Sequence, residues 1–101
     1  MAIKDKNEII IQFMEDGIAR DYDKSWDSLM LAVDKIESLN NNLCGFTIHK
    51  SQVELFYGNQ NFSFSRTELN WLGYKAENRF DILYYGVTHF IEWYNENIKS
   101  K

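Results

Sequence analysis

Two stretches of this chain repeat apolar side chains every three or four residues, and the stretch between them repeats every second residue. That change of period limits the fold more than any other feature, because helices bury one stripe and half-buried strands bury alternate residues. Trp26, Leu29, Met30, Val33 and Ile36 form the first stripe, with Lys24, Asp27, Asp34, Lys35 and Glu37 on other faces. The spacing predicts a helix from about Lys24 to Leu39, capped by Asp23 and ended by Asn40, Asn41 and Asn42. Phe80, Leu83, Tyr84, Val87, Phe90, Ile91, Tyr94 and Ile98 predict a second long helix, with Lys99 and Lys101 suited to its negative end.

Between them, Phe46 and Ile48 alternate with Thr47 and His49, and Val53, Leu55 and Tyr57 alternate with Glu54 and Phe56. This pattern predicts two strands turning over His49 to Gln52. Phe62 and Phe64, spaced by serines after Gly58-Asn59-Gln60, allow a third strand, which a lone hairpin needs for support. Asp5 to Met14 reads as a short amphipathic helix with Asp5 as its cap, ended near Gly17, with a loop from Gly17 to Tyr22. Ser65 to Asn78 reads as a loop with one helical turn, broken at Gly73. The expectation is an α+β fold: a small antiparallel two- or three-stranded sheet packed by two long helices plus a short N-terminal helix, in the order α-α-β-β-(β)-α. Residues 1–101 are expected to form a single domain, since no Pro, repeat or low-complexity tract divides the chain.

Cys44 is the only cysteine, so no internal disulfide forms and a reducing cytoplasm is the expected compartment. In the apolar context Leu43-Cys44-Gly45-Phe46 it reads as a packed side chain rather than a nucleophile. Met1 to Lys6 lacks a secretory signal's apolar run and no stretch is apolar enough for a span, so no membrane role is expected. Between Asp5 and Glu37 nine acids face four bases, and from Ser38 onward six face six. Neither part carries the Lys and Arg cluster of a duplex-binding surface, so nucleic acid is not an expected partner.

Three blocks carry a resemblance: Ile11-Gln12-Phe13-Met14, then Ser25-Trp26-Asp27-Ser28-Leu29-Met30 running into Val33 to Leu39, and Phe90-Ile91-Glu92-Trp93-Tyr94-Asn95-Glu96-Asn97. In combination they resemble small uncharacterised bacteriophage and prophage proteins, especially those of Bacteroidetes. The layout is similar to the phage ABA-sandwich domain group. The resemblance implies an origin and a fold, and no catalytic residue or mechanism.

The residues themselves offer no catalytic constellation. His49 and His89 stand without a Cys pair or a His-Glu-x-x-His pattern, so no metal or other cofactor is expected, and His89 reads as an interior or rim hydrogen-bonded side chain. No serine lies in a Gly-x-Ser-x-Gly elbow, and Glu92 with Glu96 or Glu15 with Asp16 reads as a solvated face. More informative are the three Trp, six Tyr and seven Phe, more than a small core hides. Two readings compete: these rings cover the rim of the core, or Trp71, Tyr74, Tyr85 and Trp93 form an interaction surface. The acids Glu15, Asp16, Asp21 and Asp23 are candidates for contact with a basic partner.

The chain therefore reads as a non-enzymatic accessory protein that binds a host or phage protein, or itself as a homo-oligomer. The alternative is a protein that binds or sequesters a nucleotide, with Lys50, Arg66, Lys75 and Arg79 near one another in sequence to hold phosphates.

Overall fold

The computed structural model describes residues 6–39 and 44–99. The expected cap at Asp5, the Asn40 to Asn42 helix stop and the role of Lys101 lie outside them. Helix α1 spans Lys6–Met14, with Ile10 and Phe13 buried. It ends on Glu15, whose φ of +57° turns the chain out of the helix in the left-handed region.

Helix α2 spans Trp26–Glu37, two residues shorter at each end than its sequence pattern predicts. Its cap is Ser25, not Asp23: Ser25 is extended and its Oγ accepts from the Ser28 amide at 3.3 Å. Asp23 instead sits in a turn that the Lys24 amide closes on the Asp21 carbonyl. Leu29, Ala32, Val33 and Ile36 are buried, while Trp26, at the first helical position, is 42 % exposed and meets Phe80 edge-on at the rim.

Strands β1 (Cys44–Ile48), β2 (Gln52–Tyr57) and β3 (Gln60–Ser65) form an antiparallel sheet in the order β1-β2-β3. The first connection is three residues long, with the His49 amide bonded to the Gln52 carbonyl, and the second is two residues long, with Tyr57 opposite Gln60. Gly58 enters the second turn at φ +58°, the sign a tight hairpin asks of its first central residue. The third strand is therefore formed, and with it the layout the alternating pattern left open. Val53, Leu55 and Phe64 face the helices, whereas Thr47, Glu54, Phe56 and Ser63 face outward and are exposed.

Helix α3, Arg66–Trp71, occupies part of the segment expected to be a loop. Ser65 Oγ accepts from the Glu68 amide at 3.1 Å, and the buried Leu69 pins this short helix to the core. Helix α4, Arg79–Tyr94, is capped by Asn78 and continues through a π-helical turn at Asn95–Lys99. Its buried Ile82, Leu83, Val87, Phe90 and Ile91 pack on β2, β3 and α1, and α2 packs on β1 and α4. Thr88 is also fully buried, and its hydroxyl is satisfied by the Tyr85 carbonyl at 2.9 Å.

One hydrophobic core thus joins the helices to a single face of the sheet. Tyr22 belongs to it: fully buried, it anchors the loop before α2. Among the described residues no helix is long and apolar enough to cross a membrane.

Candidate interaction surface

The aromatic candidates divide by position. Tyr74 and Tyr85 lie with ring centroids 4.8 Å apart, and the Lys6 ammonium sits over both, at 5.0 and 5.8 Å. Tyr74 is held there by the turn after α3, where the Leu72, Gly73 and Tyr74 amides return to the Glu68, Asn70 and Leu69 carbonyls. The Asn70 side chain completes the turn, donating to the Ala76 carbonyl at 3.1 Å and accepting from the Ala76 amide at 2.9 Å. The same turn leaves Trp71 85 % and Leu72 56 % exposed.

Trp93 lies elsewhere on α4, half-buried, with its ring 5.2 Å from Phe62, 5.7 Å from Tyr57 and 5.9 Å from Phe90. It covers the rim of the core, and among the described residues its ring contacts do not include Tyr74 or Tyr85. Trp71 has no aromatic ring contact among the described residues.

A groove of about 480 Å³ opens between α3, α4 and β3. Leu69, Leu72, Tyr74, Tyr85, Phe62 and Phe64 give it apolar walls, with Lys6, His89, Glu68 and Glu92 adding charge or polarity. His89 is exposed rather than interior, its ring edge-on to Phe64 at 5.4 Å and to Phe62 at 6.4 Å. It lies on the α4 face turned to the groove, one position past the buried side.

Asn61 and Ser63 also border this groove, although they point to the opposite face of the sheet from Phe62 and Phe64. The groove therefore laps over the outer edge of β3. The Tyr57–Gln60 closing pair and the Arg66 amide bonded to the Ser51 carbonyl set the alternation: Gln60, Phe62 and Phe64 turn their backbone groups to β2. Those of Asn61 and Ser63 point away, into the open edge.

None of the acidic candidates lines this groove. Asp16 is tied to Arg20 at 2.6 Å, and that bond holds its carboxyl below the ordinary carboxylate range. Arg20 also donates to the Tyr22 hydroxyl, and Asn7 clasps the loop by accepting from the Tyr22 amide and donating to the Arg20 carbonyl. Glu15, Asp21 and Asp23 are exposed on this same loop. The structure thus gives two separate surfaces, an acidic loop and an aromatic groove beside a strand edge.

Cys44 is buried, and burial, with the Glu37 charge adding to it, pushes its thiol up to about 11. A thiol so placed stays protonated and packed. Among the described residues no group of three or more His, Cys, Asp or Glu is placed to hold a metal ion. Compared with known proteins, the chain matches no family model, no curated protein and no solved structure.

Proposed function

We propose that this protein is a non-catalytic accessory module that captures an extended segment of a partner protein along β3. The observation that carries this reading is the groove that passes from Phe62 and Phe64 on one face to Asn61 and Ser63 on the other. An added strand takes its affinity from main-chain bonds to a free edge and its specificity from pockets for alternate side chains. The β3 edge offers the first and the Leu69–Leu72–Tyr74–Tyr85 wall the second. Exposed Trp71 extends the apolar surface beyond the groove, in line with the aromatic enrichment of interface centres. The resemblance to phage and prophage proteins supplies the biological setting of the proposal, a phage or host protein as partner in the host cytoplasm.

Selection from a random-sequence peptide library tests it. Enriched peptides should alternate apolar and polar residues, and should slow amide exchange at Asn61 and Ser63. Ser63→Pro removes an outward amide at a position where an edge strand tolerates proline, so the fold should persist and binding should vanish. Peptides that bind Ser63→Pro as well as the parent protein, or no enrichment at all, would reject the reading. A dimer in light scattering that Ser63→Pro dissolves would assign the edge to a second copy instead.

A further inference from the structure

Lys50, Arg66 and Arg79 come from three places in the chain and line one groove of about 580 Å³. Lys50 is on the β1–β2 turn, Arg66 opens α3 and Arg79 opens α4. The Arg66 amide bonds to the Ser51 carbonyl at 3.0 Å, which locks the start of α3 to that turn. Lys75, the fourth cation of this part of the sequence, does not line the groove.

The ion pairs among the described residues are Arg20 with Asp16 and His49 with Glu54, so no carboxylate neutralises Lys50, Arg66 or Arg79. Glu77 is the groove's single acid, leaving its wall with a net charge of about +2 at neutral pH on a chain of net −4. Ser51 and Thr67 add hydroxyl donors to the same wall. Like charges gathered in this way repel, and an anion between them removes the repulsion. Two guanidinium groups, an ammonium and two hydroxyls match the dianionic, multiply accepting surface of a phosphate ester.

Asn78 and Arg79 are also the wall of a second groove, of about 450 Å³, which contains Trp26, Asp23 and Lys24. The Trp26 indole is partly exposed there, steadied by its edge contact with Phe80 at 5.0 Å. An aromatic platform and a cationic cradle therefore share one partition. We infer that the two grooves together form a binding site for a mononucleotide. Its phosphates lie between Lys50, Arg66 and Arg79, and its base lies against Trp26, with Asp23 and Lys24 as acceptor and donor for the base edge. This inference is independent of the β3 edge and uses none of its residues.

Titration of the isotopically labelled protein with ADP, GDP, adenosine and inorganic phosphate tests it. A nucleoside diphosphate should move the Trp26 indole and the Arg66 and Arg79 amide resonances together. Adenosine or phosphate alone should bind at least ~10-fold more weakly, and R66Q, R79Q and W26L should each weaken the diphosphate by ~10-fold or more. Arg66 and Arg79 are exposed, so thermal unfolding of R66Q and R79Q should match the parent protein and separate lost binding from lost folding. Phosphate binding as tightly as ADP would reduce the site to a simple anion hole and overturn the inference. So would an unmoved Trp26, or unchanged spectra at millimolar nucleotide.

Discussion

The Lys35 ammonium, carried on α2, donates to the Phe13 carbonyl at the end of α1 at 2.6 Å. It reaches the Met14 carbonyl as well, at 3.0 Å, and lies 4.9 Å from the centre of the Phe13 ring. One side chain thereby satisfies two terminal carbonyls and sets a cation at the negative end of α1. Lys35→Met retains the aliphatic stem and removes both bonds. Urea unfolding should show a loss of about 1–3 kcal/mol; a loss below about 0.5 kcal/mol would mean that water replaces the ammonium at no cost.

Asn70 holds the turn that presents Trp71, Leu72 and Tyr74 with one donor and one acceptor, a pair that only a neutral amide supplies. Asn70→Asp keeps the acceptor and loses the donor. Hydrogen exchange at Ala76 should accelerate by ~10-fold or more, with little change in the strands. Uniform acceleration across the sheet would show that the turn and the core open together.

Glu15 stands at φ +57°, a conformation that costs a side chain about 1 kcal/mol and glycine almost nothing. Glu15→Gly should therefore raise stability by about 0.5–1 kcal/mol in chemical denaturation. Any loss would point to a contact of the Glu15 carboxylate that outweighs the relief.

Gly86 and Gly45 make opposite predictions. A β-carbon on Gly86 would lie 3.0 Å from Phe64 Cδ2, in a ring buried between α4 and β3, whereas one on Gly45 would meet Phe56 Cε1 at 2.8 Å. Phe56 is exposed on the bare face of the sheet and can swing away. Gly86→Ala should cost about 1 kcal/mol after the gain in helix propensity is deducted, and Gly45→Ala should fall within about 0.5 kcal/mol of the parent. Equal effects would contradict the packing of Phe64 on α4.

Burial raises Cys44 from an ordinary 9.0 to about 11, and Tyr57 moves the same way from 10.0 through burial, Tyr94 and Cys44. The folded protein keeps these protons at pH values where the unfolded chain releases them. Stability is thus complete below about pH 9 and falls as pH rises toward 11. Melting temperature should be level from about pH 7 to 8.5 and decline above it, less steeply in Cys44→Ala. Iodoacetamide at about pH 8 should label Cys44 only as fast as the chain opens; rapid labelling of the folded protein would refute the buried thiol.

The α2 and α4 stripes and the three alternating segments were legible because each is a run long enough for its period to show. The errors fall where one residue decides. Ser25 caps α2 ahead of Asp23, and Trp26, first in the helix, reaches the rim instead of the interior. The α3 helix hid in a polar segment, yet Ser65 followed by Glu68 three residues later is a start signal that the sequence carries. Periodicity likewise says nothing about which rings converge: Tyr74 meets Tyr85, Trp93 joins Phe62 and Phe90, and Trp71 meets none of these. Arg66 is brought to Lys50 by the joining of the Arg66 amide to the Ser51 carbonyl, and Arg79 meets them from the start of α4, contacts invisible in the linear order.

Each strand hydrogen-bonds to its neighbour in sequence, so the sheet can zip up from either hairpin without waiting for distant parts of the chain. Docking α1 on α4 is different, since it must close a loop that contains nearly every other element before it gains any burial. The rate of folding should follow that closure, and a tether shortening the path between the two ends of the molecule should quicken it while the hairpins form at their own pace.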